Sequence, residues 1–363
     1  MKRESEYPTY PPLFIVKITE KLRRFFLRLN RRFTHPNVVI WETIHNFWVA
    51  AAINVAAELG IADILKEQSR SIDELADQTQ THAESLYRMM RMLASQGIFR
   101  EIKERRFITT SLARPLEDDQ IRYLLLSHLT SRHFFMFADL MTTVKTGKRV
   151  SDKFAGDDLF KHIGRDEQHN EWFNKAMSNA TKMQVPAILS VFSFKPFGKI
   201  IDVGGGQGLF LAAILQHNAL CKGVVFDLPQ AIFKPKTLRD AYSLGDRLEM
   251  VGGDFFESVP GGGDLYMMKS VLHDWDDESS IKILNNVREA MSPSSRLLII
   301  EAVIEEGNTP SFGKMTDILM MVAGGGKERT RTQFESLLNQ TGFKIRKIHT
   351  TITPHSIIES EKI

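Results

Sequence analysis

Among 363 residues there is a single cysteine, Cys221. An internal disulfide framework is therefore excluded, which fits a reducing compartment. Uninterrupted apolar runs of the ~18 residues needed to span a bilayer are also missing. The apolar patch Leu13 to Val16 falls short of the ~7–15-residue apolar region of a signal peptide. A soluble cytoplasmic protein is expected. No internal repeat and no low-complexity tract is found, which argues against a solenoid or a linker-like chain. Charge of one sign is lacking too: 47 Lys and Arg face 44 Asp and Glu, for a net +3. That balance is uneven along the chain. Residues 1–35 hold nine basic and three acidic side chains, a net +6, which leaves the rest at −3. The main body is not built like a nucleic-acid binder, and no nucleic-acid partner is expected.

What is present is an ordinary globular mixture, 43% hydrophobic and 25% charged, too long for one core. Four segments are expected. Residues 1–37 form a basic N-terminal extension, unstructured over 1–12 and an amphipathic helix over 15–33. In that helix Ile18, Leu22, Phe25, Leu29 and Phe33 recur at three- and four-residue steps. It could face an anionic surface or membrane, or pack on the body or a second subunit. Packing is the expectation, because apolar helix faces usually cover protein. Residues 38–115 form a compact helical unit. It has a long apolar helix from Ile44 to Leu65, a second starting at Ser71 with Glu74 completing a capping box, and a third from Ala83 to Gln96 closed by Gly97. A hairpin of Ile98–Glu101 and Arg105–Ile108 completes a winged-helix pattern. Residues 116–195 are mostly helical and rich in Phe, Met and His. Residues 196–363 alternate apolar strands with helices: Ile200–Val203, Gly223–Phe226, Leu248–Val251, Asp264–Lys269, Leu297–Ala302 and a last strand in Lys344–Ile352. This alternation predicts a mostly parallel sheet with helices on both faces.

The chemistry-bearing residues fall at the ends of these strands. Asp202-Val203-Gly204-Gly205-Gly206-Gln207-Gly208 follows a strand and opens a helix, where glycines permit close backbone approach and the helix N-terminus offers free N–H groups. Leu209 stands where a dinucleotide fingerprint needs a third small residue, which argues against a nicotinamide-dependent dehydrogenase. Asp227 ends the next strand and can accept hydrogen bonds from ribose hydroxyls. Asp254 follows the one after and can accept from an exocyclic amine, with Phe255 to cover a base. Each acid alone reads equally well as a turn or helix cap; three in succession at one sheet edge make an adenosine pocket. His273, in Leu272-His273-Asp274-Trp275, titrates near neutral pH and suits proton abstraction. Glu301 and Glu328 end nearby elements and can orient its ring. On its own, Glu328 in a basic loop reads as a solvated surface residue.

Taken in order, these stretches resemble the family of small-molecule O-methyltransferases, from about Val38 to about His355. Ala56-Ala57-Glu58-Leu59-Gly60-Ile61-Ala62-Asp63, Trp172-Phe173-Asn174-Lys175-Ala176-Met177 and Gly325-Gly326-Lys327-Glu328-Arg329-Thr330 complete the match. The resemblance implies a Rossmann-like S-adenosylmethionine methyltransferase domain preceded by a helical, winged-helix dimerisation domain. It implies S-adenosylmethionine as cofactor, a small aromatic acceptor, a homodimer, and no metal. Gly204, Gly206 and Gly208 would shape the turn under the methionyl part. Asp227 would bind ribose, Asp254 and Phe255 adenine, and Lys269 would line the donor site. His273 would be the general base, flanked by Glu301 and Glu328, with Asp274 beside the acceptor. Phe173, Met177, Met320 and Met321 would form the acceptor pocket. Two departures stand out. Asp317–Glu328 is about one residue shorter than in plant members, so no polar rim residue is assigned at Ala323, and the N-terminal basic helix has no counterpart. Altered chemistry on this fold, such as C-methylation or a cofactor-assisted hydroxylation, is the first alternative. A winged-helix nucleic-acid-binding regulator is the second.

Overall fold

The structure, a computed structural model, describes residues 10–118, 120–128, 131–155, 167–232 and 235–363. Contacts divide the chain into two compact units, one of residues 1–13, 139–159 and 181–363, the other of 14–138 and 160–180.

In the second unit the helix Leu13–Phe33 buries none of its residues. The helix Pro36–Glu58 follows, and the chain breaks at Gly60 before a short helix, Ile61–Ile64. The single helix expected over Ile44–Leu65 is thus two. Ser71 caps the helix Ile72–Thr79 as its sequence predicts: its hydroxyl accepts from the Glu74 N–H at 3.2 Å, and the Glu74 carboxylate accepts from the Ser71 N–H at 2.6 Å. The helix Ala83–Ser95 comes next. Strands β1 (Arg70–Ser71), β2 (Phe99–Ile102) and β3 (Arg106–Thr109) pair antiparallel in the order β1-β3-β2. β1 is too short to show a sequence period. Ala56, Leu75, Met90, Leu93, Phe99 and Phe107 form the core, an arrangement compatible with the winged-helix expectation. Met90 and Leu93 point inward, so the third helix spends its apolar face on packing.

One correction concerns apolar length. Among the described residues the helix Pro36–Glu58 is long and apolar enough, by length and composition, to cross a membrane. No uninterrupted apolar run marks it in the sequence because Glu42, His45, Asn46 and Asn54 punctuate the helix. Ala52, Ala56 and Ala57 pack into the unit's own core, while Ile40, Trp41, Ile44, Phe47 and Trp48 stay exposed.

The first unit is built on a mixed sheet. Its strands are β4 (Lys199–Val203), β5 (Lys222–Asp227), β6 (Leu248–Gly252), β7 (Leu265–Lys269), β8 (Arg296–Ile304), β9 (Arg329–Thr330), β10 (Phe343–Thr350) and β11 (His355–Lys362). The order is β10-β11-β8-β7-β4-β5-β6, with β9 pairing β8. Strands β8, β7, β4, β5 and β6 run parallel, and β10 and β11 close one edge antiparallel. A single last strand over Lys344–Ile352 was expected; the chain instead reverses after Thr350 and adds β11, whose Ser356, Glu359 and Ser360 break up its apolar pattern. Successive residues of β4 serve opposite faces. Ile200 belongs to one buried cluster with Leu211, Leu215 and Ile357, whereas Ile201 belongs to another with Ile283, Leu284 and Phe334. Helices therefore cover both faces. The strand order reverses between β4 and β7, and a crevice at that carboxyl edge is where doubly wound sheets hold ligands.

Candidate active site

The carboxyl ends of β4, β5, β6 and β7 supply the site, with Glu301 inside β8 rather than at its end, because β8 runs on to Ile304, and with Glu328 just before β9, all in the first unit. At the end of β4 Asp202 is 1% exposed, and its Oδ2 has no hydrogen-bond partner. Burial pushes its carboxyl up to about 7, with the Lys269 charge opposing and the Asp227 charge adding. Lys269, at the end of β7, is the matching cation; burial lowers its pKa and Asp202 resists that. Gly204 adopts φ +72°, and a Cβ there would lie 2.7 Å from Val271 Cγ2, so only glycine lets the turn pass this close. The Gly206 N–H donates to Asp227 Oδ2 at 2.7 Å, and space beyond its Cα is open. Gly208 starts the helix Leu209–His217.

Asp227 ends β5. The Leu228 N–H donates to its Oδ1 at 2.7 Å. Burial raises its pKa, and these two backbone bonds work against that. Asp254 follows β6, and its Oδ1 accepts from the Phe256 N–H at 2.8 Å. Phe255, Phe256 and Trp275 form an aromatic cluster with ring centroids 4.7–6.1 Å apart. Three strand ends thus present glycine, acid, and acid with aromatics at one edge, as the sequence predicts.

His273 sits in the one-turn helix Leu272–Asp274 after β7. Its Nδ1 lies 3.1 Å from Glu328 Oε1 and its Nε2 3.6 Å from Asp274 Oδ1, with 18% of the side chain exposed. Burial opposes a charge on the ring. Asp274, the Glu328 hydrogen bond and the Glu301 charge outweigh it and push the imidazole up to about 10. Glu328 is 5% exposed, not a surface residue. Its Oε1 also accepts from Thr316 Oγ1 at 3.0 Å, and its own N–H donates to Asp317 Oδ1. Glu301 acts on the backbone rather than on the ring: its Oε1 accepts from the N–H groups of Val271, Leu272 and His273 at 3.1, 2.6 and 3.2 Å. Burial raises the Glu301 pKa, and the His273 charge opposes it.

Sequence reasoning missed four other supports of this turn. Arg329, fully buried, donates to Leu272 O at 2.8 Å and Trp275 O at 2.9 Å, and also to Asp277 and Ser280. Gly326 packs its backbone on the turn; a Cβ there would lie 2.0 Å from His273 O. Ser270 has φ +55°, and its Oγ lies 3.2 Å from His355 Nε2, whose Nδ1 lies 3.2 Å from Gln184 Nε2. Burial, aided by the Lys269 and His273 charges, drives the His355 imidazole down to about 3. Arg329 and Gly326 lay inside the matched motif; Ser270 and His355 carried no signal.

Met320 and Met321 are half-buried in a wide turn, Met320–Gly324, closed by the Gly325 N–H donating to Met320 O at 2.8 Å. Such turns concentrate at functional sites. Ser151 Oγ donates to Ala323 O at 2.8 Å and Arg149 to Gly324 O. Phe173 and Met177 belong to the other unit, on the helix Glu167–Leu189. Met177 is 39% exposed, and the Phe173 side chain lies outside the described residues.

Comparison with known proteins agrees with this geometry. Residues 137–344 match the model of an O-methyltransferase domain, and residues 41–117 that of an O-methyltransferase dimerisation domain. A phenazine O-methyltransferase of Lysobacter antibioticus is 37% identical over 329 residues, 90% of this chain and 96% of that protein. The crystal structure of LaPhzM superposes with a TM-score of 0.85 at 35% identity, covering 91% of this chain and 100% of the other. An O-methyltransferase from neocarzinostatin biosynthesis, solved with S-adenosylmethionine and 2-hydroxy-5-methyl naphthoic acid, superposes at 0.75 with 29% identity, over 87% and 96%.

Proposed function

This chain belongs to the O-methyltransferase family, which uses S-adenosylmethionine, and on that premise we propose that it methylates a hydroxyl of a small aromatic secondary metabolite, with His273 as general base. The observation that carries the proposal is the contact between His273 Nδ1 and Glu328 Oε1 at 3.1 Å. A carboxylate there keeps the proton on Nδ1, so the Nε2 lone pair is the one that accepts a proton.

The residues present fit the donor. A buried carboxylate with an orphaned oxygen, Asp202, and a buried ammonium, Lys269, match the ammonium and carboxylate of an amino acid moiety. Asp227 keeps lone pairs for ribose hydroxyls after its two backbone bonds. Asp254 and the Phe255 cluster suit adenine. When bound, the donor supplies an electrophilic methyl on a sulfonium. The chain's own tasks are then to hold the acceptor oxygen in line and to remove its proton. Alignment is worth up to ~7–11 kcal/mol in ideal cases, and a placed base adds about 10²–10⁴-fold. The three carboxylates around His273 make its imidazole a strong proton acceptor, and positive charge entering the pocket helps it shed a proton it already holds. Asp274, next to Nε2, would face the acceptor, and Met320 and Met321 offer adaptable apolar packing for an aromatic ring. One relative named above is a phenazine O-methyltransferase and another was solved with a hydroxylated naphthoic acid, which supports an aromatic acceptor. The exposed aromatic face of the helix Pro36–Glu58 falls in the dimerisation segment and supports a homodimer.

The test is His273→Ala, assayed on hydroxylated aromatic acceptors. S-adenosylhomocysteine should bind with near-native affinity in calorimetry while turnover falls by about 10²–10⁴. Undiminished turnover removes His273 from the mechanism.

A further inference from the structure

The helix Leu13–Phe33 lies outside both matched domains and is not used by the chemistry above. At 100° per residue, Phe14, Ile15, Ile18, Leu22, Phe25, Phe26, Leu29 and Phe33 fall in one sector of about 120°. All eight are exposed, from 36% at Leu29 to 82% at Phe33. Lys17, Arg23, Arg24, Arg28 and Arg31 lie on the opposite side, with Lys21 flanking the sector and Arg32 at its edge, against one acid, Glu20, which pairs with Arg23 and Arg24. The helix alone is therefore +6.

We propose that this helix is an in-plane anchor for an anionic lipid surface, its eight apolar side chains entering the acyl boundary and its basic side meeting the headgroups. The combination of a sharply divided helix, large apolar residues on one side and Lys and Arg on the other is what binds at the plane of a bilayer. Crossing the bilayer is excluded for this helix, since seven basic residues spread along its length would enter hydrocarbon. Covering the same face with a second copy would bring two +6 helices side by side. A nucleic acid would satisfy the basic side but leave the apolar side in water. Only an anionic interface answers both faces at once. The sequence pattern alone favours packing on protein; the exposure of the whole apolar sector removes packing on the chain's own body, and the charge of the helix argues against a second copy.

The full-length protein is mixed with vesicles of phosphatidylcholine, with or without phosphatidylglycerol, and binding is read by co-sedimentation. Binding is expected only with phosphatidylglycerol and should weaken as salt rises. Neutralising Arg24, Arg28 and Arg31 together (Arg24→Gln, Arg28→Gln, Arg31→Gln) should weaken it about a hundredfold, at about fivefold per basic residue. Phe25→Asp with Leu29→Asp should abolish it. Affinity for S-adenosylhomocysteine should stay unchanged in all these variants, which separates lost anchoring from misfolding. Three results overturn the proposal: no binding to phosphatidylglycerol vesicles, loss of dimerisation on deleting residues 1–33 with vesicle binding intact, or salt-sensitive retention of duplex DNA in place of vesicle binding.

Discussion

Replacing Glu328 by Gln removes a charge and keeps the shape. In the structure Glu328 Oε1 takes one hydrogen bond from His273 Nδ1 at 3.1 Å and one from Thr316 Oγ1 at 3.0 Å, and its side chain is 4% exposed. Solvent screening at such a site is slight. A hydrogen bond to a charged group contributes about 1.5–3 kcal/mol, and 1.36 kcal/mol corresponds to one in pKa. Without the Glu328 charge the His273 pKa should fall by about 1–2 from its present value of about 10. The acid limb of kcat/KM, which reports groups of the free enzyme, should move to lower pH by the same amount. The plateau moves the other way. A Gln amide can present N–H to Nδ1 and leave the proton on Nε2, where it blocks acceptance from the substrate, so kcat should drop by about 10²–10⁴. The assay is methyl transfer from labelled donor across pH, with imidazole titration followed by NMR. A limb that stays in place and a plateau within about twofold of the parent would refute the assignment of His273 and Glu328 as a working pair.

Other outcomes follow from the same turn and its neighbours. Gly326→Ala must push backbone against backbone, His273 O being 2.0 Å from the new Cβ; turnover should fall about 10²-fold, the effect of ~1 Å misplacement, with S-adenosylhomocysteine affinity retained in calorimetry. Arg329→Met strands the carbonyls of Leu272 and Trp275 and the Ser280 hydroxyl and should cost about 2–5 kcal/mol in urea unfolding; a loss below about 1 kcal/mol would mean water replaces the guanidinium. His355 is held neutral, its pKa near 3 against about 6.5 when unfolded. A depressed folded pKa contributes stability that is present above about pH 6.5 and is lost as pH falls toward 3. His355→Gln should therefore flatten the acid side of the stability curve, by up to about 5 kcal/mol; parallel curves for the two proteins would contradict the burial argument.

The half of the candidate site proposed for the cofactor is legible because its residues are local to strand ends. Asp202, Asp227 and Asp254 follow apolar runs whose parallel pairing brings their carboxyl ends together, so knowing the strands gives the pocket. The His273 half was only partly legible. Glu301 was identified as an acid near the ring, yet its Oε1 serves three backbone N–H groups; sequence names the residue type and not the atom it meets. Glu328 alone reads as exposed because its neighbours are Lys327 and Arg329. Its burial depends on Arg329 turning inward to Asp277 and the 272–275 carbonyls, a tertiary event with no sequence period. β11 is less legible for a similar reason: Ser356, Glu359 and Ser360 interrupt its apolar alternation although the strand is interior, between β8 and β10.

These contacts also locate the stiffness of the site. The turn carrying His273 leaves β7 through Ser270, held at φ +55°, a conformation that costs a non-glycine residue about 1–2 kcal/mol. Left to itself, such a turn would relax. Here β8 fixes its N–H groups through Glu301, and the segment entering β9 fixes its carbonyls through Arg329. Gly326 fills the remaining side with backbone, and the ring itself is held by Glu328. Gly326, Glu328 and Arg329 are within four residues of one another in sequence. One short segment therefore sets both the position of the turn and the direction of the ring, which explains why the matched stretch Gly325–Thr330 combines glycine, acid and arginine so tightly. Preorganisation of this kind keeps the proposed base in place without help from a ligand. It also means that a change at any of the three should act on turnover through His273 rather than through the donor pocket.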